Sequence, residues 1–328
     1  MRTELIRPDA SGIARAAALL RAGALVAFPT ETVYGLGANA LDASAVARIY
    51  AAKSRPSDNP LIVHVAGIEE IGRWAEPDER AWRLADRFWP GPLTFVLPSR
   101  GLLPGATVAL RMPAEPTALR LLQAAGRPVS APSANRSGRP SPTTAAAAMS
   151  EVGGRIEAVL DGPAATVGIE STVVDLTGPT PMILRPGDID QRQIERVLAT
   201  EVGHASGSRR SPGTRYRHYA PSVPVHLFAG GGDWLRRALA AALLAEPAAV
   251  YIGLAAAAPE GATGLLARDL ADLQRRLYET LRDAERLQVP VIAAWPPASP
   301  EAAGVRDRLL RAAGANVTTE PSSVGEET

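Results

Sequence analysis

Residues 24–37 read ALVAFPTETVYGLG. The run 24–28 is apolar throughout, as a short strand buried in an α/β layer would be. A proline, two threonines, a glutamate and a tyrosine follow, and then Gly35 and Gly37, which let the backbone approach a ligand closely. A buried strand opening into a polar loop is how α/β folds place their ligands. The flanks extend the pattern. Ser11 predicts a helix N-cap, 13–22 a helix and Gly23 its stop, while Asp42 predicts the cap of a helix running to about Lys53. Further strands are predicted at 61–65, 93–97, 107–110, 156–160, 171–176 and 182–184, with helices at 78–88, 116–124 and 190–199. Alternation of this kind over the first ~200 residues predicts an α/β layer fold.

The pattern breaks at 201–222, EVGHASGSRRSPGTRYRHYAPS, where Gly, Ser and Pro replace any apolar period and predict a linker between domains. A second β-α-β-α-β-α alternation then covers 223–313 and predicts a small parallel sheet of Rossmann-like type. The expected boundaries are therefore 1–200, a linker at 201–222, 223–315, and a polar tail at 316–328.

Composition narrows the chemistry. The chain has 328 residues, 46% hydrophobic and 21% charged, with a formal net charge of +1, so no global field points to nucleic acid or a membrane. No cysteine is present, which excludes disulfides, thiolate nucleophiles and Cys-ligated zinc. Four histidines (His64, His204, His218, His226) have no metal-ligand spacing, so no direct protein ligand for a metal is expected. With no signal-like or membrane-spanning segment in view, a cytoplasmic protein is expected.

Of 35 lysines and arginines, Lys53 is the single lysine. Where arginine supplies every generic positive charge, a surviving lysine marks a place for a compact ammonium, such as a tight phosphate site; chance survival is the alternative. Lys53 and Arg55 stand two residues apart past a helix, suited to grip polyphosphate as point charge and fork. A solvated helix C-terminus is the plainer account. Arg111, at a strand end, is a natural carboxylate clamp or else a structural ion pair. The run 130–138, SAPSANRSG, offers small hydroxyls and amides for ribose and phosphate oxygens, or a loop that braces itself. Glu170-Ser171-Thr172 and Arg185-Pro186-Gly187 could face the same pocket. In the linker, basic and aromatic residues interleave at 211–221, as in a lid over a nucleotide or a stack on single-stranded nucleic acid.

Taken together, FPTETVYGLG, KSRP followed by NPLIVH, WPGPLT, SAPSANRSG, GIESTVVD and LRPG resemble the YrdC-like threonylcarbamoyl-AMP synthases. The linker SPGTRYRHYAP and the extra domain resemble the longer, two-domain form. The resemblance implies an α/β-twist N-terminal domain with a concave, positively lined cavity, plus a smaller Rossmann-like domain. It implies ATP with Mg2+, L-threonine and bicarbonate as substrates, and threonylcarbamoyl-AMP and pyrophosphate as products. Partner proteins then transfer the group to an adenosine beside the tRNA anticodon; whether tRNA is itself bound is left open.

Carried onto this chain, the resemblance places Lys53, Arg55 and Asn59 on the phosphates, with Lys53 and Arg55 as the catalytic pair. Thr107, Ser133, Asn135, Ser141 and Arg185 complete the nucleotide site. Thr32, His64, Arg111 and Ser171 hold threonine, with backbone contacts from Ala131. Tyr216, His218 or Tyr219 closes over ATP. Glu115 stands where relatives often carry His, so its side chain is not expected to be essential. Two rivals remain on composition: an RNA-binding module without ATP turnover, which overall neutrality disfavours, and a carbamoyl-phosphate-using carbamoyltransferase, whose companion zinc-finger segments a cysteine-free chain lacks.

Overall fold

The computed structural model describes residues 2–205 and 219–321. The chain divides into two compact units, Met1–His218 and Tyr219–Thr328. Most of the expected linker, with Tyr216 and His218, lies outside the described residues.

The first unit opens with β1 (Glu4–Ile6), α1 (Ala10–Arg21), β2 (Val26–Phe28), β3 (Gly35–Asn39), α2 (Ala43–Lys53) and β4 (Ile62–His64). It continues with α3 (Ile71–Trp74), α4 (Glu79–Phe88), β5 (Leu93–Pro98), β6 (Thr107–Arg111), α5 (Pro116–Ala125) and β7 (Val129–Ser130). Then come α6 (Ala145–Val152), β8 (Ala158–Leu160), β9 (Thr172–Asp175), β10 (Met182–Arg185), α7 (Gln191–Leu198) and β11 (Gly203–His204). The strands form one mixed sheet in the order β1-β8-β2-β3-β7-β4-β6-β5-β9-β10-β11.

Local chemistry sets the helix ends. Asp42, Asp78, Thr144 and Asp190 each accept a backbone N–H of the first turn, satisfying donors that the helix leaves orphaned. The cap of α1 is Asp9, which accepts from the Gly12 N–H at 2.8 Å. Ser11, expected at that place, is already in the helix; its hydroxyl bonds Asp9 at 2.7 Å.

The sheet is covered unevenly. Around β2, Val26 and Phe28 pack with Ile13, Leu20, Leu121 and Leu122 of α1 and α5. Leu25, Ala27 and Leu36 pack on the other face against Ile49 of α2 and Ala148 of α6. This is the period-2 alternation of a strand buried on both sides. Farther along, α4 and α7 cover β5, β9 and β10 through Leu84, Phe88, Ile194 and Leu198. The opposite face there carries a small cluster of Ile62, Val96, Ala109, Val173 and Leu184, to which no helix contributes.

The second unit contains β12 (Val225–Ala229), α8 (Gly232–Ala245), β13 (Val250–Leu254), β14 (Gly264–Ala267), α9 (Leu270–Leu287), β15 (Val291–Ala294), α10 (Ala303–Ala313) and β16 (Val317–Thr319). Its sheet runs β14-β13-β15-β12-β16, and every pairing is parallel. The Rossmann-like expectation therefore holds, with two strands more than the sequence pattern suggested. One of them, Val317–Thr319, pairs with β12 in a stretch expected to be tail.

Candidate functional site

Three loops of the first unit are hydrogen-bonded into one polar floor. The turn after β2 is built by Thr30, whose hydroxyl donates to the Val33 carbonyl at 2.6 Å and accepts the Val33 N–H at 3.2 Å. Its proton being used there, the Thr32 hydroxyl donates to Thr30 Oγ1 across 2.9 Å. The backbone of this turn is tied to the 167–168 loop by Val167 N–H to Glu31 O and Gly168 N–H to Thr32 O. Tyr34 links it to the 130–142 loop, accepting from Ala134 N–H at 2.7 Å and donating to Pro142 O at 2.8 Å.

Lys53 ends α2 and is 1% exposed. Its ammonium donates to the backbone carbonyls of Ser133 and Asn135, which leaves one of its three N–H donors for a ligand. Burial and the neighbouring Arg55 charge push the Lys53 ammonium well below its usual pKa; Glu151 and Glu170 oppose this. The loop it holds is braced further. Ser133 Oγ donates to Asn135 Oδ1, and Asn135 Nδ2 donates to the carbonyls of Arg136 and Arg139 at 2.7 and 2.8 Å. Ser141, fully buried, donates to the Glu170 carboxylate. Adjacent Ser171 shares a 2.8 Å hydrogen bond with Thr94, and the Arg185 guanidinium donates to Ser171 O and Oγ at 2.9 and 3.1 Å. The backbone at Gly187 runs so close that a Cβ there would sit 2.3 Å from the Thr172 nitrogen, which explains the glycine of the LRPG segment.

Arg55 donates to the Pro60 carbonyl at 3.1 Å. Asn59 is wholly buried, and neither atom of its side-chain amide is hydrogen-bonded. An orphaned buried amide costs about 1–3 kcal/mol per group, a cost that a ligand oxygen accepting from Asn59 Nδ2 would reduce.

His64 and Arg111 are register partners at the ends of parallel β4 and β6. Arg111 is 4% exposed; its Nη2 lies 2.7 Å from Glu31 Oε1, and its Nε donates to the Gly91 carbonyl at 3.3 Å. The contact with Glu31 is close but not aligned as a hydrogen bond, so both carboxylate oxygens keep their acceptor capacity. His64 packs edge-on to Phe28, and its Nδ1 is unbonded. Burial first, and the Arg111 charge second, hold its pKa down at about 3. The imidazole is therefore neutral at physiological pH.

At the other end of β6, Thr107 borders a cavity of about 270 Å³ with Tyr50, Pro60, Leu61, Val108 and Ser130 in its walls. The cavity begins beside the Asn59-Pro60 loop, next to the Arg55 contact.

The structure thus gathers Lys53, Ser133, Asn135 and Ser141 in one network and joins it through Glu170 to Ser171 and Arg185. Thr32 lies on the adjoining turn, and Ala131 is buried with its N–H on the Ile62 carbonyl at 2.9 Å. Tyr219 belongs to the second unit, at its start. Its ring is 4% exposed, tilted on Tyr278 at 5.6 Å between centroids, with the Arg308 guanidinium 5.3 Å above it. Glu115 caps α5, accepting the Ala118 N–H at 2.8 Å; a structural duty of that kind does not require a histidine. Sequence reasoning missed Glu31, although it quoted the residue, because a carboxylate on a turn usually faces solvent.

The Sua5/YciO/YrdC family model, whose description reads telomere recombination, matches residues 18–187. That of the threonylcarbamoyl-AMP synthase C-terminal domain matches 189–314. The chain belongs to the Sua5/YrdC family, in its two-domain form. The Pyrococcus abyssi threonylcarbamoyl-AMP synthase is 44% identical over 85% of this chain and 87% of its own length. The Bacillus subtilis protein of the same name is 41% identical over 93% and 94%. A crystal structure of P. abyssi Sua5 complexed with L-threonine matches with a TM-score of 0.90 at 38% identity, covering 98% of this chain and 100% of that one. Among the described residues, no helix is long and apolar enough to cross a membrane.

Proposed function

We propose that this chain is an L-threonylcarbamoyladenylate synthase, making threonylcarbamoyl-AMP and pyrophosphate from ATP, L-threonine and bicarbonate for modification of tRNA. The observation that carries the reading is the Lys53–Arg55 pair: a wholly buried ammonium whose charge the neighbouring Arg55 disfavours. A cation buried beside another is costly; Glu151 and Glu170 offset part of that cost, and a further anion would offset more of it. A polyphosphate supplies that anion, and the bonded Ser133–Asn135 loop presents polar groups beside it. The cavity bordered by Thr107, Pro60 and Leu61 has the size and mixed lining for a nucleobase.

Arg111 takes the threonine carboxylate, with Thr32, neutral His64 and the Thr94–Ser171 hydroxyl pair around the rest of the amino acid. The carbamate oxygen attacks the α-phosphorus in line as pyrophosphate leaves. Such transfer rests on positioning and charge neutralisation more than on a covalent nucleophile. Mg2+ fits as the nucleotide's own counter-ion, where it neutralises phosphate charge; among the described residues, no three His, Asp or Glu side chains gather at one point. Arg185 orients Ser171. The product goes to threonylcarbamoyl-transferring partner proteins in the cytoplasm.

The test is pyrophosphate release by the purified chain with ATP and bicarbonate, with and without L-threonine. Threonine-dependent release, with threonylcarbamoyl-AMP detected by mass, is expected. Release that ignores threonine, or salt-dependent RNA binding without turnover, would overturn the reading.

A further inference from the structure

We propose that Glu31 receives the ammonium group of the amino-acid substrate and takes its proton, so that the free amine can form the carbamate. This rests on the synthase reading and deepens it by naming a residue for a step that the reading leaves without one.

The geometry comes first. Glu31 is buried, 7% exposed, and its Oε1 lies 2.7 Å from Arg111 Nη2. Buried carboxylates ordinarily collect aligned N–H or O–H donors. Here neither oxygen accepts an aligned hydrogen bond, while the Glu31 backbone is fixed by Val167 N–H at 2.8 Å. A guanidinium and a carboxylate side by side are the complement of an α-amino acid, which carries carboxylate and ammonium on one carbon. If Arg111 takes the carboxylate, the adjoining anion that still has acceptor capacity falls to the ammonium.

Chemistry requires such an acceptor. An α-amino group has a pKa of about 8 even in a peptide, so near neutrality threonine arrives with a nitrogen that has no lone pair to offer. His64, the imidazole nearest Arg111 in register, has its pKa held at about 3 and is a poor base. Lys53 commits two of its donors to carbonyls. The charged or titratable groups facing Glu31 are Arg111 from β6 and Asp188 from the loop after β10. Burial first, and the Glu31 charge next, push the Asp188 carboxyl up.

The step balances. The ammonium gives one proton to the Glu31 carboxylate, leaving a neutral amine. Its lone pair forms the C–N bond with the bicarbonate carbon as the C–OH bond breaks. A second nitrogen proton leaves with that hydroxyl as water, and the Glu31 proton passes to solvent. The carbamate then stands with its oxygen free for phosphorus.

The experiment compares Glu31→Gln and Glu31→Asp with the parent chain, measuring kcat/KM for threonine from pH 6.5 to 8.5 together with ATP affinity and thermal unfolding. For Glu31→Gln we expect a fall of about 10²-fold at pH 7, the usual size of a proton-transfer contribution. Because that variant can use only the free amine present in solution, its ratio to the parent should recover about tenfold per pH unit toward the amine pKa. Glu31→Asp should keep the parent's pH profile at reduced rate, and ATP affinity should hold in both. A Glu31→Gln deficit that is constant with pH, or absent, would overturn the proposal, and so would a Glu31→Asp profile that copies Glu31→Gln. A parent chain with no threonine-dependent release would instead overturn the synthase reading, and this proposal with it.

Discussion

The two units bury polar groups for different ends. In the second unit, Arg308 is wholly buried yet well partnered: it donates to Asp307 at 2.9 Å, reaches the Gly304 carbonyl and lies over the Tyr219 ring. Asp272, 3% exposed, accepts from the Arg268 N–H at 3.3 Å and is ringed by Arg268, Arg275 and Arg276. In the first unit, Asn59 and His64 are buried as deeply, and the Asn59 amide and His64 Nδ1 are unbonded; the Glu31–Arg111 pair is close but misaligned. Satisfied buried polar groups hold a fold together, whereas unsatisfied ones at the ends of strands are held by the fold for something else. Substitutions should therefore separate the units: loss of stability in one, loss of turnover in the other.

The largest separation is expected at Lys53. Lys53→Met removes the charge and keeps much of the volume. Threonine-dependent pyrophosphate release should fall about 10²–10³-fold, the usual cost of removing one group that stabilises developing charge, while circular dichroism still reports a folded chain. Activity within a few-fold of the parent would break the comparison at its strongest point.

Arg308→Met should do the reverse. Removing one partner of a buried charge pair costs about 3–5 kcal/mol, and the Tyr219 ring loses its cation as well. Denaturant melts should show the second unit destabilised on that scale. An unchanged midpoint would mean that the buried guanidinium is not structural, and the contrast between the units would lose its second half.

Asn59→Leu sharpens the comparison further because both readouts apply at one residue. An orphaned amide replaced by an apolar side chain of similar size should leave stability unchanged or raise it by about 1 kcal/mol. The same change should raise the KM for ATP about tenfold, the loss of roughly one hydrogen bond to a charged group. A destabilised variant with an unaltered KM would show Asn59 to be ordinary core.

How much of this was legible beforehand depends on whether the signal was local. The cap at Asp42, the helices that open at Asp78 and Asp190, and the strands 93–97 and 182–184 announce themselves within a few residues. Gly35–Asn39 does not. It reads as a ligand loop, yet it is a strand packed so tightly that a Cβ on Gly37 would come within 2.9 Å of the Phe28 ring; glycines contribute nothing to an apolar period. Ala145–Val152 also escaped notice, since a run of alanines after Thr144 has no polar face to mark a helix. In the site, Lys53, Asn59 and Arg111 were legible as residue types in suggestive loops. Their partners were not. That Lys53 would reach the carbonyls of Ser133 and Asn135, and Arg111 the carboxylate of Glu31, depends on contacts between residues far apart in sequence. So does the choice between a solvated basic helix end and a buried phosphate grip.

The smallest expected effect is one of pH, and it falls on stability. The folded-state pKa of His64 lies at about 3, below the ordinary histidine value of 6.5, so between those values the unfolded chain binds the proton that the folded chain refuses. Stability contributed by this site is fully present above pH 6.5 and declines as pH falls toward 3. The same neutrality lets an unbonded Nδ1 serve as an acceptor beside Arg111, where a charged imidazole would repel the guanidinium and offer no lone pair. His64→Gln has no such titration. The difference in unfolding free energy between the parent and His64→Gln, measured by denaturant melts at pH 7.5 and pH 4.5, should therefore shift toward the variant at the lower pH. An unshifted difference would mean that His64 gains a proton in the folded chain. The unbonded nitrogen would then be a donor, and it would no longer belong with Asn59 and Glu31.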